Sequence, residues 1–453
     1  MNVCIIGTGY VGLVTGVCLA EIGNTVTCVD KIKEKINLLK NGDSPIYEPK
    51  LDEFLKRNIK DNKLEFTTDI SNAIEKSEII YICVGTPPLS NGQADLRYVE
   101  EAAYEIGKNI NDMKIVINKS TVPIGSGDWV SMVISDSMEK NNNQNKNVCF
   151  SVVSNPEFLR EGSAIDDTFF PDRIVIGSSS KKAVDKMLKL YEPIINQSFE
   201  WPDDKRLIPK GSKIPVVISD LTSAEMIKYA ANSFLATKIS FINEIANICE
   251  KVGADVSKVA EGIGLDKRIG PAFLNAGIGW GGSCFPKDVS ALSNIAGEYG
   301  LSTQILNAVV NVNREQRLKI TQKLQDELKI IKGKTIAVLG ISFKPDTDDT
   351  RDAPSIKIMN DLVNLGARVK AFDPIIKSSP DSLSGKVLLC GNAYEAVEDA
   401  DLFILATEWV DFLRLDYVKI KKIMRNSVVI DGRNYLDKDN LEKIGFKYIG
   451  IGR

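Results

Sequence analysis

Residues 3–23, "VCIIGTGYVGLVTGVCLAEIG", run from a short apolar segment through three glycines into a helical pattern. A strand that enters a helix through a glycine-rich turn is the opening unit of a doubly wound α/β domain. Further apolar runs at 25–30, 78–85 and 114–120 alternate with amphipathic stretches. This alternation predicts a mostly parallel sheet in the first third of the chain.

A different pattern covers residues 219–252, which contain neither glycine nor proline. Ser219 and Asp220 are candidates for the start of a helix, and Gly253 for its end. Such a helix would be about 45 Å long, which predicts a spine between two domains. After it, residues 333–349 begin a second strand–turn–helix unit, and further strands are predicted at 368–374, 400–408 and 427–433.

These patterns predict an α/β fold with two Rossmann-like, doubly wound parallel-sheet domains, joined by a long central helix and a helical middle domain. We place the domains at residues 1–205, 206–315 and 316–453. The polar tracts 139–147 and 203–213 are predicted to be exposed connectors.

Composition limits the classes of function. The formal charge of −3 gives no reason to expect nucleic-acid or membrane binding, and no apolar run is long enough to span a bilayer. The N-terminus has no basic region before its apolar stretch, so we expect no signal peptide and a cytoplasmic protein. The seven cysteines other than Cys284 resemble small buried apolar residues, and none of the eight shows metal-type spacing, so reduced thiols and no metal site are expected. The chain has no histidine, so proton transfer must use other side chains or water.

The glycine-rich turn predicts a dinucleotide site. Gly7 permits a tight turn, Gly9 lets the backbone approach a pyrophosphate, and Gly12 permits close packing of helix on strand. Asp30 ends the second predicted strand, where it can accept hydrogen bonds from a ribose diol, and this makes a plain strand–helix turn the weaker interpretation. Its carboxylate would repel a 2′-phosphate and so favours NAD over NADP. Lys35 could reach the same ribose or be a solvated lysine.

Two threonines follow the next predicted strands. Thr86 in "VGTPP" (84–88) and Thr121 in "KSTVP" (119–123) are expected at the carboxyl edge of the sheet, where open α/β sheets bind ligands. Threonine before proline is also ordinary turn chemistry, so each residue alone is moderate evidence.

One cysteine differs from the others. Cys284 lies in "GWGGSCFPKD" (279–288), among glycines and within a helical turn of Lys287 and Asp288. It is either a nucleophile in a pocket or incidental to a structural turn. With NAD, a nucleophilic cysteine suggests aldehyde oxidation through a thioester, and an alcohol substrate could undergo both oxidations at one site.

Two pairs of residues are candidates for proton transfer and oxyanion stabilisation. Lys228 and Asn232 lie four residues apart on the predicted spine and therefore share a face. The alternative is an amphipathic helix with a solvated lysine. Glu157 and Glu161, also four residues apart, are candidate bases, and a pair of surface glutamates is the alternative.

These strings together resemble the UDP-glucose 6-dehydrogenases of the UDP-glucose/GDP-mannose dehydrogenase family, and the resemblance runs essentially from end to end. It includes "NPEFLREGSAIDD" (155–167), "GGSCFPKD" (281–288), "GISFKPDTDDTRDAPS" (340–355) and "TEW" (407–409). It implies NAD-dependent, four-electron oxidation of UDP-glucose at C6 to UDP-glucuronate, and a homodimer formed through the central helical domain.

The resemblance also implies residue roles. Cys284 would form the thiohemiacetal and thioester, with Lys228, Asn232 and Asp288 around the reacting carbon and Glu157 and Thr121 activating water. Arg268 would reach the partner subunit's substrate. The implied cofactor contacts are Gly7, Gly9, Tyr10, Val11, Gly12, Asp30, Lys35, Thr86, Thr121, Glu161, Lys287 and Arg351. The implied substrate contacts are Glu157, Phe158, Leu159, Arg160, Glu161, Lys228, Asn232, Arg268, Phe273, Leu274, Asn275, Ala276, Gly277, Gly281, Phe343, Lys344 and Arg433.

Three alternatives compete with this interpretation. A UDP-N-acetylhexosamine 6-dehydrogenase would share the fold and chemistry, although "EFLREGSAIDD" favours glucose by resemblance. A two-electron hydroxyacid dehydrogenase gives no reason for Cys284 or for a second α/β unit. The third is a non-enzymatic nucleotide-sensing or structural module.

Overall fold

The computed structural model describes residues 1–87, 89, 93–141, 148–201 and 207–453. These residues form two compact units, Met1–Ala230 and Ala231–Arg453. The division into three domains stays a prediction, and its boundary at 205/206 lies outside the described residues. Parts of the predicted connectors (142–147 and 203–206) and Pro88 lie outside them as well.

The first unit contains an eight-stranded sheet over the described residues, in the order β3-β2-β1-β4-β5-β6-β7-β8. All neighbouring strands pair in parallel except β6 and β7, so the predicted mostly parallel sheet is confirmed. The four predicted strands are present, and β2, β4 and β5 are each shorter than their apolar runs. The strands are β1 Asn2–Ile6, β2 Thr25–Val29, β3 Leu64–Thr67, β4 Ile79–Ile82, β5 Lys114–Asn118, β6 Phe150–Ser154, β7 Ile174–Gly177 and β8 Val216–Ser219.

Helices cover both faces of this sheet, as the alternating pattern predicts. The first helix is buried from Gly12 to Ala20 because it packs into the main apolar core of the unit. The helices that begin in this unit are α1 Tyr10–Glu21, α2 Lys33–Lys40, α3 Leu51–Lys60, α4 Ile70–Lys76, α5 Arg97–Asn109, α6 Ser126–Lys140, α7 Ala164–Phe169, α8 Lys181–Leu190, α9 Glu192–Ile195 and α10 Leu221–Val252.

The predicted long helix is present as α10, which contains 32 residues. Asp220 begins it, because its carboxylate accepts hydrogen bonds from the backbone N–H and hydroxyl of Ser223 at 2.7 and 2.8 Å. Ser219 belongs to β8 instead. Gly253 ends the helix with a φ of +77°, a conformation that glycine adopts without steric cost.

The second unit contains a six-stranded parallel sheet over the described residues, in the order β11-β10-β9-β12-β13-β14. If β9 to β14 are counted as the first to sixth strands, this order is the same as that of β1 to β6 in the first unit. The predicted second Rossmann-like unit is therefore confirmed. Its strands are β9 Thr335–Leu339, β10 Arg368–Phe372, β11 Val387–Leu389, β12 Leu402–Leu405, β13 Val428–Asp431 and β14 Lys447–Ile449. Its helices are α11 Val256–Gly264, α12 Phe285–Glu298, α13 Gln304–Leu328, α14 Pro354–Asn364, α15 Ala393–Val397, α16 Val410–Leu413, α17 Tyr417–Ile423 and α18 Lys438–Ile444, with a 3₁₀ turn at Asp381–Leu383.

The cysteines follow the expected burial in most cases. Among the seven besides Cys284, five are buried, whereas Cys149 is exposed and Cys390 is half-buried, so the expectation is wrong for these two. Among the described residues, we find no helix long and apolar enough to cross a membrane.

Candidate active site

The glycine-rich turn has the geometry that its sequence predicts. Gly7 has a φ of +98°, and a Cβ there would lie 2.8 Å from the carbonyl oxygen of Cys83. A Cβ on Gly12 would lie 1.9 Å from the carbonyl oxygen of Gly7. Neither position can therefore carry a side chain without displacing the backbone. Gly9 precedes α1, and apart from its chain neighbours no atom of the described residues lies within 4 Å of the place its Cβ would take, so the turn offers an open approach at the helix N-terminus.

Asp30 lies beside this turn. Its carboxylate accepts hydrogen bonds from the Thr8 hydroxyl at 2.7 Å and the Thr8 N–H at 3.1 Å, and it pairs with Lys35 at 3.1 Å. Burial opposes ionisation, but these contacts and the N–H of Ile32 hold the pKa of Asp30 below its usual value. Asp30 is therefore an anion at neutral pH, and Lys35 is its partner rather than a fully solvated lysine.

The two threonines lie at the carboxyl edge of the sheet, as predicted, and they are close together. Thr86 follows β4, Thr121 follows β5, and the Thr86 hydroxyl donates to the carbonyl oxygen of Thr121 at 2.8 Å. The Ser120 hydroxyl donates to the carbonyl oxygen of Val84 at 2.7 Å. These bonds fasten the two loops to each other at the carboxyl edge of the sheet.

Lys228 and Glu157 form a buried ion pair. Their Nζ and Oε1 atoms lie 2.9 Å apart, and each side chain is 6% exposed, so the alternatives of a solvated lysine and a surface glutamate pair are wrong for these residues. The N–H of Leu159 donates to the other carboxylate oxygen of Glu157 at 2.7 Å. Burial raises the pKa of Glu157, but Lys228, this N–H and Lys119 lower it more, so the net pKa is below its usual value.

The segment that contains Glu157 is not helical. Residues 155–160 form an irregular loop and residues 161–163 a turn, so the four-residue spacing does not place Glu157 and Glu161 on one helical face. Glu161 is half-buried, whereas Arg160 is exposed and binds Asp167 through a bidentate pair. Phe158 lies under two cations, with the Arg173 guanidinium 3.6 Å and the Lys228 ammonium 5.5 Å from its ring centre.

A small cavity in the first unit is lined by Lys228 together with Thr121 and Glu225. Sequence reasoning missed Glu225, although it lies one helical turn before Lys228 on α10. Its carboxylate accepts hydrogen bonds from the N–H groups of Gly125 and Gly127 at 2.6 and 2.8 Å, at the start of α6. Burial, with smaller contributions from Asp128 and Asp220, raises the pKa of Glu225 to about 7.

In the second unit, Cys284 flanks the start of α12 and is half-buried. The N–H of Asp288 donates to the carbonyl oxygen of Cys284 at 2.9 Å, so the two residues share the first helical turn. Asp288 is fully buried, accepts a 2.6 Å hydrogen bond from the Asn232 amide, and forms an ion pair with Lys287. The structure thus brings Cys284, Asp288, Asn232 and Lys287 together as predicted.

The glycines around Cys284 approach other segments of the chain. A Cβ on Gly279 would lie 2.5 Å from Oδ1 of Asn313, and one on Gly281 would lie 2.3 Å from the carbonyl oxygen of Asp352. A Cβ on Gly282 would lie 2.7 Å from the ring of Phe343. The contacts that require glycine at these three positions are with the protein itself, and they fix the loop that leads to Cys284.

Arg433 and Lys344, which are predicted to bind the phosphates or the sugar, both lie beside Phe343 in the second unit. Arg433 follows β13, and its guanidinium donates to the carbonyl oxygens of Ala406 at 2.8 Å and Phe343 at 3.1 Å. Lys344 directly follows Phe343, with its ammonium 5.6 Å from that ring centre.

The segment 273–277 is held against α10 and α13. The N–H of Gly277 donates to Asn243 at 2.8 Å, and its carbonyl oxygen accepts from Gln316 at 2.8 Å. Within this segment, Leu274 and Ala276 are buried and Asn275 is exposed.

The remaining predicted arginines are surface residues. Arg268 binds Asp266 and Arg351 binds Asp349, each through contacts of 2.6 to 3.1 Å. These local pairs fix the direction of both guanidinium groups.

Comparison with known proteins identifies the family. The UDP-glucose/GDP-mannose dehydrogenase family's NAD binding domain matches residues 1–195, its central domain residues 222–315, and its UDP binding domain residues 337–438. The chain belongs to this family. It is an NAD-dependent dehydrogenase.

The relatives share the whole length of the chain. UDP-glucose 6-dehydrogenase TuaD of Bacillus subtilis is 48% identical over 453 residues, which is all of this chain and 93% of that protein. The structure of a UDP-glucose dehydrogenase from Pyrobaculum islandicum has a TM-score of 0.88 at 35% identity and covers 99% of this chain and 97% of that one. A UDP-D-ManNAc dehydrogenase from Pyrococcus horikoshii has a TM-score of 0.84 at 27% identity and covers 100% and 99%.

The charge on Asp30 predicts cofactor selectivity. We expect kcat/KM to be higher with NAD than with NADP, and Asp30→Ser to reduce this preference about tenfold because the repulsion of a 2′-phosphate is lost. The measurement is kcat/KM for both cofactors, with the exposed Asp43→Ser as a control of equal charge change. A wild-type enzyme that uses NADP equally well would contradict the prediction.

The raised pKa of Glu225 predicts a pH-dependent stability. The folded state binds its proton more tightly than the unfolded state does, so this contribution is present below about pH 4.5 and is lost as pH rises through about 7. The free energy of unfolding of Glu225→Gln should therefore improve relative to wild type between pH 5 and pH 8. Denaturant unfolding at both pH values measures this, with the exposed Glu244→Gln on the same helix as the control. A constant difference between Glu225→Gln and wild type would refute the shift.

Proposed function

We propose that the protein oxidises UDP-glucose at C6 to UDP-glucuronate in two successive oxidations. The observation that carries this proposal is the first turn of α12, where Cys284 precedes a fully buried Asp288 that is hydrogen-bonded to Asn232. A cysteine at a helix N-terminus, with a cation nearby, has the surroundings that favour a thiolate nucleophile. A dehydrogenase that stopped at the aldehyde would not need one.

The residues of the glycine-rich turn fit NAD. Gly7 and Gly12 cannot carry side chains, the approach beside Gly9 is open, and Asp30 is an anion that can accept from ribose hydroxyls. NAD, when bound, accepts one hydride in each oxidation. We assign Tyr10, Val11, Thr86, Thr121, Glu161, Lys287 and Arg351 as further cofactor contacts. The hydroxyl of Tyr10 is turned towards Glu48, so Tyr10 is expected to contribute its backbone N–H.

The proposed reaction has three steps: oxidation of the alcohol, oxidation of the aldehyde as a cysteine adduct, and hydrolysis. The C6 hydroxyl loses its proton and C6 loses a hydride, which gives an aldehyde. The Cys284 thiolate adds to the aldehyde carbon, and loss of a second hydride converts the thiohemiacetal into a thioester. Water then cleaves the C–S bond: its oxygen stays on C6 as part of the carboxylate, one of its protons goes to the sulfur and the other to solvent.

The oxygen bound to C6 becomes negatively charged during the reaction, and nearby groups must stabilise that charge. Lys228 and Asn232 are one turn apart on α10, and we propose that they stabilise the developing alkoxide. Asp288 orients the Asn232 amide through their 2.6 Å bond. Glu157 and Thr121 are proposed to position the water. The proposal requires that Lys228 and Cys284 act on the same substrate.

Substrate recognition is assigned to groups from several segments. Lys344 and Arg433 are proposed to bind the diphosphate by charge-assisted hydrogen bonds. We assign the sugar and uridine contacts to Glu157, Phe158, Leu159, Arg160, Glu161, Phe273, Leu274, Asn275, Ala276, Gly277, Gly281 and Phe343. Arg268 is proposed to reach the partner subunit's substrate.

Glucose is the favoured sugar. Curated relatives that are 41–48% identical are named UDP-glucose 6-dehydrogenase, whereas the UDP-D-ManNAc dehydrogenase of Pyrococcus horikoshii is 27% identical. NADH absorbance with a panel of UDP-sugars tests this. We expect two NADH per UDP-glucose; turnover only with a 2-acetamido sugar would favour the alternative, and one NADH per sugar would exclude the thioester route.

We also propose that two chains form a dimer through α10. Phe234, Phe241 and Ile248 recur every seven residues on this helix and are 65, 49 and 52% exposed. Residues seven apart lie along one helical stripe, and an apolar stripe of this kind is typical of an interface between helices. A cytoplasmic location, where thiols stay reduced, suits a catalytic cysteine.

Cys284→Ser should lower two-NADH turnover by at least about 10³-fold, because serine is the weaker nucleophile and its ester resists hydrolysis. Affinity for UDP-glucose and NAD should survive, since the proposed phosphate contacts do not include the sulfur. Steady-state NADH production and calorimetry measure the two effects, and the exposed Cys149→Ser is the matched control. Near-normal turnover of Cys284→Ser would exclude the nucleophile.

Phe241→Glu should convert the dimer into a monomer, because it places a charge in the middle of the apolar stripe. Light scattering after size-exclusion chromatography measures the mass. Leu388→Glu, at an exposed position in the second unit, should leave the mass unchanged. A wild-type monomer, or a Phe241→Glu dimer, would show that the stripe serves another purpose.

A further inference from the structure

A buried carboxylate connects the dinucleotide turn to the loop that contains Glu157 and Glu161. Glu48 lies in the loop before α3 and is almost fully buried. One of its oxygens accepts hydrogen bonds from the Tyr10 hydroxyl and, at 2.6 Å, from the N–H of Gly162. The other accepts from the N–H of Ala164 at 2.7 Å. No motif noted in the sequence includes Glu48.

The partners of Glu48 are adjacent in sequence to predicted cofactor contacts. Tyr10 directly follows Gly9 and is the first residue of α1. Gly162 directly follows Glu161 and lies in the turn that leads into α7. The N–H of Gly162 also reaches the Tyr10 hydroxyl oxygen at 2.9 Å. Glu48, Tyr10 and Gly162 therefore form a closed triangle of hydrogen bonds between two segments that are 152 residues apart.

The triangle is built for a carboxylate. An ionised carboxyl group only accepts hydrogen bonds, and each partner offers a donor. Burial raises the pKa of Glu48 and outweighs the hydrogen bonds from the Tyr10 hydroxyl and the backbone N–H groups, which lower it, so the net pKa lies above its usual value. Leaving such a group or its donors without partners costs more than the net value of one bond, so the two segments are held in one arrangement.

A second contact holds the same loop. Lys50, two residues after Glu48, pairs with Asp166 of α7 at 2.8 Å and lies 4.9 Å from the ring centre of Trp201. Lys50 has a φ of +67°, a conformation that a lysine rarely adopts. The loop is thus fixed against α7 at two points, and Glu48 is not a mobile surface glutamate.

We propose that Glu48 is a positioning residue for NAD. It does not touch the cofactor. Through its hydrogen bonds to Tyr10 and Gly162, Glu48 fixes the position of the glycine-rich turn relative to Glu161. Both segments can then contact the same dinucleotide. The inference rests on the proposed placement of Glu161 beside NAD.

The test is a double-mutant cycle read by NAD binding. Tyr10→Phe keeps the ring and removes the hydroxyl, and Glu48→Gln keeps the shape and one acceptor. Each variant should weaken NAD binding about tenfold, and the double variant should be no weaker than the weaker single variant, because both remove the same interaction. KM for NAD should rise while kcat changes less than about threefold.

Tyr417→Phe is the matched control, because it removes a buried tyrosine hydrogen bond, 2.7 Å to the carbonyl oxygen of Phe412, in the second unit. Its NAD affinity should equal that of wild type. Additive losses in the cycle, or NAD affinity unchanged in Tyr10→Phe, would overturn the proposal. Loss of thermal stability without loss of NAD affinity would also overturn it and assign Glu48 a structural role.

Calorimetric NAD titration needs no sugar substrate, so the cycle stays readable if the wild-type enzyme does not oxidise UDP-glucose. That result would overturn the proposed substrate and leave the role of Glu48 to be decided by the NAD affinities alone.

Discussion

The buried ion pair between Lys228 and Glu157 constrains the loop that follows β6 in the first unit. Removing a charged group from water costs on the order of several kcal/mol. The attraction between the two charges offsets this desolvation cost only when their geometry is good and further hydrogen bonds are made. The N–H of Leu159 supplies one such bond, and Lys119 adds a second positive charge. The loop at 155–163 must therefore follow the path that brings these groups to α10. A buried ion pair held by an irregular loop contributes little to stability, which points to a functional role for the two charges.

The two α/β units share a strand order but only one is suited to a dinucleotide. In the second unit Asp373 takes the position of Asp30 and accepts from the N–H and hydroxyl of Ser342, as Asp30 does from Thr8. Asp373 is buried, however, and also accepts from the indole N–H of Trp409, so its carboxylate faces protein. Helix α14 begins at residue 354, fourteen residues after Gly340, whereas α1 begins three residues after Gly7. The long loop in between carries Phe343, Lys344 and Arg351 together with four aspartates, and it replaces the short turn that lets a pyrophosphate approach a helix N-terminus.

The sequence was sufficient where local rules decide the structure. Strand and helix patterns, the steric roles of Gly7 and Gly12, and the shared first turn of Cys284 and Asp288 depend on neighbours within a few residues. It was insufficient where distant segments meet. The partner of Gly281 is Asp352, and the irregular path around Glu157 is imposed by Lys228, 71 residues away. Glu48 and Glu225 carried no motif, because their importance comes from burial and from backbone donors that only the folded chain places beside them.

Because the chain has no histidine, a group that changes charge near neutral pH must be of another type, and the contrast between Glu157 and Glu225 shows how a carboxyl group can become one. Glu157 and Glu225 lie in the same unit, and their environments move their pKa values in opposite directions: Lys228 holds Glu157 ionised, whereas burial raises the pKa of Glu225 to about 7. A pair of carboxyl groups separated in this way can keep one anion fixed while the other changes charge near neutral pH. Glu225 is bonded to the backbone at Gly125 and Gly127, just after the Thr121 loop. Protonation of Glu225 would remove acceptor capacity at the start of α6, a change in local charge near neutral pH of the kind that histidine usually provides.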